Sequence, residues 1–326
     1  MASARTADDF LVEIAARPDD DGLKTVFADW LLERGDPRGE LMALQLKAER
    51  SDEELSREAL LLRANVRQWL PDEVFINLVP SSIVFEKGVF SAARVQVRSQ
   101  SALTASLPHP VWAAVRRLSG APAELIERCH VVEALTEVDD ETLLALALKG
   151  RAVGRLRVLG VSGVSERVLG ETLDAPALAT VRELRLAHEP GRFSSPQNLS
   201  VIKRTHLAHK LQRLVLHSGW LELSELLLAE SQGAPTFREL QLAPMPFSPS
   251  NWSILLTRSY RDVELYPGSE LNASFSEGQV REILATAPRG WFSGLALPDD
   301  VDWRSVVGLP CFVRATVRRI ERRART

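Results

Sequence analysis

The stretch Val181-Arg-Glu-Leu184-Arg-Leu186 returns as Leu211-Gln-Arg-Leu214-Val-Leu216, with Ser195-Pro-Gln-Asn-Leu-Ser-Val-Ile202 between the two copies. Each copy reads apolar-x-x-Leu-x-Leu, and the alternation at its end directs both leucines to one face of a short strand. Between the copies Leu199, Ile202 and Leu207 recur at helical spacing behind a Ser-Pro start suited to an N-cap and a first helical turn. Strand, helix, strand at a period of about 20–30 residues predicts a solenoid.

Further copies carry the pattern along the chain. The clear ones are Val115-Arg-Arg-Leu118, Val153-Gly-Arg-Leu156-Arg-Val158, Phe237-Arg-Glu-Leu240-Gln-Leu242, Tyr260-Arg-Asp-Val263-Glu-Leu265 and Phe292-Ser-Gly-Leu295-Ala-Leu297. Weaker ones begin at Ala92, Val132 and Phe312. The anchors Leu156, Leu184, Leu214, Leu240, Val263 and Leu295 lie 28, 30, 26, 23 and 32 residues apart. The segments between them predict outer helices: one capped by Asp139 and holding Leu143, Leu144 and Leu148, one opened by Ser248-Pro249 and holding Trp252, Leu255 and Leu256, and one behind the capping box Ser276-Glu-Gly-Gln279.

The first 70 residues have helical periodicity instead. Phe10, Leu11 and Ile14 make one apolar face that stops at Pro18; Leu23, Val26, Phe27, Trp30 and Leu31 make a second, stopped at Gly35. Pro37 opens a third helix, and the capping box Ser51-Asp-Glu-Glu54 opens a fourth, carrying Leu55, Ala59, Leu62, Val66 and Trp69 up to Pro71. Within this region Phe10-Leu-Val-Glu-Ile-Ala-Ala-Arg-Pro-Asp-Asp-Asp21 and Val26-Phe-Ala-Asp-Trp-Leu-Leu-Glu-Arg-Gly-Asp-Pro-Arg-Gly-Glu40 closely resemble the bacterial repeat-companion domain, a short helical module at the N-terminus of repeat proteins. Phe85-Glu-Lys-Gly-Val-Phe90 resembles the strand that follows that module. The resemblance implies a repeat architecture, commonly of leucine-rich repeats, and brings no activity with it.

The expected fold is therefore α/β: an N-terminal helical domain over residues 1–70, then an irregular leucine-rich-repeat-like solenoid over 71–326 with a parallel sheet and outer helices. One departure stands out. The usual Asn two residues beyond Leu-x-Leu is absent, its place taken by Glu189, Gly219, Met245, Gly268 and Asp300, so turn amides must find other partners.

Composition narrows the functional classes. The chain is 45% hydrophobic and 25% charged with a net charge of -3, ordinary for a globular protein and poorly suited to wholesale nucleic-acid binding. Two cysteines and no apolar targeting segment point to a reducing, cytoplasmic setting, and no apolar run is long enough to span a membrane. No phosphate loop, dinucleotide fingerprint or Gly-x-Ser-x-Gly turn is present. Cys129-His130 are mere sequence neighbours, and His206, His209, His188 and His217 have no completing ligand at zinc-like spacing, so no metal and no cofactor are expected. Asp29, Glu33, Asp36 and Glu40, with Arg34 and Arg38, read as local pairs around a helix junction.

What remains are the strand positions that alternate with the leucines. Arg94, Arg98, Arg117, Arg155, Arg157, Arg185, Arg213 and His217, with Glu183 among them, make a basic series, followed by acidic Glu239, Asp262 and Glu264 with Tyr266. Stacked strands hold equivalent positions about 4.8 Å apart, which would align these side chains in ladders. Arginine suits planar acidic groups and interface hot spots. The expected function is a non-enzymatic scaffold that binds another protein, acidic at the contact, through Arg94, Arg98, Arg117, Arg155, Arg157, Arg185, Arg213, His217 and Tyr266. The alternative is polyanion or nucleic-acid binding through the same arginines and the tail Arg318–Arg325.

Overall fold

The structure is a computed structural model. It describes residues 5–149, 153–187, 201, 202, 204–207, 210–217, 239–243, 252–257, 262–267, 277–287, 289, 292–298, 306 and 308–320. The protein is mixed α/β, its strands mostly parallel, and it divides into two compact units: Met1–Val138 with Lys149–Leu156, and Asp139–Leu148 with Arg157–Thr326.

The first unit opens with helices whose starts are written in the sequence. Thr6 and Asp9 form a capping box on α1 (Ala7–Ala16), Asp20 caps α2 (Asp21–Leu32), and Asp36 caps α3 (Pro37–Gln45), whose Pro37 sits where the missing N–H costs nothing. Gly35 ends α2 in the left-handed conformation at φ 69°, and Ser51 with Glu54 boxes α4 (Asp52–Trp69). Phe10, Leu11, Ile14, Leu23, Phe27, Ala28, Leu31 and Met42 close one core, with Phe10 and Phe27 stacked at 4.6 Å.

Two expected faces need correction. In α2 the buried residues are Leu23, Phe27, Ala28 and Leu31, while Val26 is 53% exposed and Trp30 is half-buried beneath the Arg34 guanidinium. In α4 Leu61 is the residue fully buried, and Leu55 and Ala59 are exposed. The α2 face is turned toward Ala28 and away from Val26, and in α4 the contact is made by the later residues, Leu61 with half-buried Leu62, Val66 and Trp69.

After the short α5 (Asp72–Phe75), a hairpin joins β1 (Val84–Glu86) to β2 (Val89–Arg94) through Lys87 and Gly88, both at positive φ. Then come α6 (Gln100–Ser106), β3 (Arg117–Ser119), α7 (Ala123–Ile126) and β4 (Ala134–Val138). Strands β2, β3 and β4 are parallel, with Ala93, Leu118 and Leu135 in register and buried. Val89 and Ala114 belong to the same core as the helices. The helices and the first strands therefore share one interior within the first unit.

The second unit contains α8 (Asp140–Leu148), β5 (Val158–Ser162), α9 (Glu166–Thr172), β6 (Glu183–Ala187), β7 (Arg213–His217) and β8 (Glu239–Ala243). Strands β5 to β8 are parallel neighbours, and Leu159, Leu184, Leu214 and Leu240 form one register row, with Val161, Leu186, Leu216 and Leu242 in the next. The repeated phrase thus builds what its alternation demands. Next, β9 (Trp252–Thr257) runs antiparallel to both β8 and β10 (Asp262–Pro267), and after the helix Glu277–Ala285 the parallel order resumes through β11 (Phe292–Pro298) and β12 (Phe312–Ile320).

Two further expectations are overturned here. Trp252–Thr257 is a strand and not an outer helix; Trp-Ser-Ile-Leu-Leu-Thr is rich in strand-forming residues and too short for a helix. The phrase at Val153 precedes its strand: Gly154 turns at φ 46°, β5 starts at Val158, and Leu159, not Leu156, registers with Leu184. The positions that lack the asparagine, 189, 219, 245, 268 and 300, lie outside the described residues; elsewhere side chains tie one segment to the next. Asp140 accepts from Ser165 N at 2.9 Å, Asp174 accepts from Leu207 N at 3.1 Å, and buried Asn77 donates to Ala102 O at 3.1 Å, each bond linking successive segments. Among the described residues no helix is long and apolar enough to cross a membrane.

Candidate partner-binding site

The arginines of the first unit are held by the starts and ends of its short strands. Backbone bonds fix their order: Arg116 O accepts from Glu133 N and Ala134 N, and Arg155 N donates to Val132 O at 3.0 Å. Arg117 lies opposite Ala92 on one side and Ala134 on the other, and Arg94 shares a row with Ser119 and Thr136.

Each of these guanidinium groups meets a carboxylate. Arg117 Nη2 donates to Glu86 Oε1 at 2.6 Å, and Ser91 Oγ donates to the other oxygen of Glu86. Arg94 Nε lies 2.8 Å from Glu137 Oε2. Gly120, just after β3, lies beside this pair: a Cβ there would make ordinary contact with Glu137 Oε2 at 3.6 Å. Glu137 holds a left-handed φ of 54°, a conformation that costs a non-glycine residue on the order of 1–3 kcal/mol. Asp19, in the turn between α1 and α2, accepts from both Arg116 Nη2 at 2.7 Å and Arg155 Nη1 at 2.9 Å.

The electrostatics follow from these partners. Hydrogen bonds from Arg155 and Arg116 hold the Asp19 carboxyl below its ordinary value. Burial pushes Glu86 up, but the bond from Ser91 and the charge and bonds of Arg117 outweigh it and leave that carboxyl below the usual range. Lys87 and Lys24 do the same for Asp21. A depressed carboxylate contributes stability that is present above its unfolded value, about 4, and is lost as pH falls through the lower folded value. Thermal melting should therefore shift to lower temperature between pH 6 and pH 3, and less so in 1 M salt, which screens exposed pairs. An unchanged melting temperature across that range would contradict the assignment.

In the second unit Glu183 plays the same part, accepting from Arg185 Nε at 2.6 Å and lying 3.5 Å from Arg213 Nη1. In backbone register Glu183, Arg213 and Glu239 are consecutive, so the row alternates in sign. Positions alternating with the leucines are not fully solvated: Val215 and Gly160 are buried, and Glu183, Arg185 and Arg213 half-buried. Arg157 is exposed and precedes β5, its carbonyl accepting from Arg182 N and Glu183 N. Arg98 is also exposed, beyond the end of β2. The side chains of His217 and Tyr266 lie outside the described residues.

Of the arginines expected as a row of like charges, Arg94, Arg117, Arg155, Arg185 and Arg213 thus stand beside carboxylates. Asp19 and Arg116 are the members that sequence reasoning passed over; the signals were the Asp19-Asp20-Asp21 run and the Arg116-Arg117 doublet. Elsewhere, Cys129 is buried, its thiol pushed up by burial and donating to Leu125 O, while His130 is exposed. Cys311 is likewise buried, its thiol pushed up to about 11. Among the described residues no three His, Cys, Asp or Glu side chains gather to hold a metal; His188 and His209 lie outside them. Comparison with protein-family models, curated proteins and solved structures finds no match.

Proposed function

We propose that the chain is a non-enzymatic protein-interaction scaffold, a repeat-companion-like helical module leading an irregular leucine-rich-repeat-like solenoid, that binds an acidic partner through arginines set on and beside its strands. The observation that carries this reading is the pairing itself. Arg94, Arg116, Arg117 and Arg155 each already hold a carboxylate in a bond of hydrogen-bonding length. The sites are shaped for that group, as a guanidinium fork requires.

These pairs are solvent-accessible, and exposed pairs are worth about 0–1 kcal/mol. A partner presenting several carboxylates can exchange with them at small cost. The setting proposed is cytoplasmic, in keeping with two unpaired cysteines. Neither a cofactor nor a metal has a part in this reading.

The test is charge reversal against a captured and identified partner. Arg94→Glu with Arg117→Glu, and separately Arg157→Glu with Arg185→Glu, should weaken binding by about tenfold or more if charge-assisted bonds worth about 1.5–3 kcal/mol each are lost. Arg63→Glu with Arg281→Glu, on exposed helical positions, is the control. Equal loss in the control would move the site off the strands. Binding to nucleic acid with a steep fall in added salt, through counterion release, would replace the protein partner with a polyanion.

A further inference from the structure

The turn Arg17-Pro18-Asp19-Asp20-Asp21 contains three successive carboxylates, each with its own partners. Asp20 caps α2 by accepting from Leu23 N at 2.9 Å, and Asp21 binds Lys24 and Lys87. Asp19 does neither. It reaches residues 97 and 136 positions away, Arg116 and Arg155, while its own side chain stays 71% exposed. One carboxylate, one oxygen to each guanidinium, thus bridges two arginines whose backbones flank the intervening pass at Val132 and Glu133.

We propose that Asp19 is a resident stand-in for a ligand carboxylate, an acidic plug on Arg116 and Arg155 that a carboxylate-rich protein segment displaces. The inference rests on the reading above that the partner is acidic, and adds a regulatory contact to it. Its logic is competition. An intramolecular carboxylate acts at high effective concentration, so a single acidic group from solution gains little by replacing it. A segment carrying several carboxylates can occupy the pair and neighbouring arginines together, which makes the plug a filter for acidic density. The high exposure of Asp19 keeps the contact weak enough to open. Met42, Phe27 and the rest of the apolar core hold α1 and α2 in place without it.

The probe is a fluorescein-labelled hexaglutamate peptide, titrated at low salt and read by anisotropy. Asp19→Asn should tighten binding about twofold to fivefold, the equivalent of losing one competing exposed pair. Asp19→Glu, which keeps the plug charged, should bind as the unaltered chain does. Adding Arg116→Gln and Arg155→Gln to Asp19→Asn should abolish the gain. Melting curves accompany each variant, so that a gain persisting without both arginines is traced to loosened structure and overturns the proposal. No gain with Asp19→Asn, no measurable binding by any variant, or a gain confined to a thymidine oligonucleotide of equal length also overturns it. The broader reading fails separately: partner affinity indifferent to reversal of Arg94 and Arg117 would remove the strand site while leaving the plug intact.

Discussion

Phe27→Ala destabilises the first unit by about 3–5 kcal/mol in urea denaturation, the cost of emptying a fully enclosed aromatic site. Phe27 has no exposed surface, stacks on Phe10 at 4.6 Å, and is bounded by Leu23, Leu31 and Met42 in the same core. Nothing small can fill the vacated volume without moving α1 or α3. Trp30→Ala costs clearly less, although tryptophan is larger. Trp30 lies at 6.1 Å from Phe27 at the edge of the cluster, half-buried, with the Arg34 guanidinium 3.8 Å above its ring. If Trp30→Ala proves the more damaging of the two, the assignment of the buried face of α2 is wrong.

Gly88→Ala is the second large effect, about 2–5 kcal/mol. A Cβ there would lie 1.7 Å from Met42 Cγ and 2.9 Å from its Cβ, and the residue sits at φ 70°. The left-handed conformation costs an L residue roughly 1–2 kcal/mol, and overpacking adds about 1–3 kcal/mol. The turn has no easy escape. Gln45 bridges it, accepting from Gly88 N at 2.7 Å and donating to Phe85 O at 3.0 Å. Gly35→Ala is the matched comparison, since Gly35 has φ 69° with nothing near its absent Cβ, so only the conformational share remains. Equal costs at the two positions would show that Met42 yields freely and that the hairpin is not seated on α3.

Much of this fold was legible because its signals are local. The capping box at Ser51, Pro37 at the start of its helix, and the Leu-x-Leu rows at 184, 214 and 240 each depend on a few adjacent residues, and the structure has them where the chemistry asks. What was lost depended on rotation and register. Trp252–Thr257 carries leucines that fit a helix or a strand equally well, and antiparallel pairing with β8 and β10 decides the matter. The turn at Gly154 delays β5 by three residues, so Arg155 and Arg157 flank the strand rather than lie on it.

The candidate site shows the same division. Arginines at strand positions were visible in sequence, but their carboxylate partners were not, since Asp19 is 97 residues from Arg116. Glu86 and Glu137 reach theirs only through hairpin and strand pairing. Long-range ion pairs leave no mark on local periodicity. Nothing in the local sequence joins the Asp-rich turn to Arg116, which the fold brings to Asp19.

The most direct measurement is the structure of the complex with the captured partner. The account predicts partner carboxylates at hydrogen-bonding distance from Arg116 and Arg155, with Asp19 released, and further acidic contacts at Arg94 or Arg117. A partner seated on the exposed side of α4, with the Asp19, Glu86 and Glu137 pairs undisturbed, would contradict it.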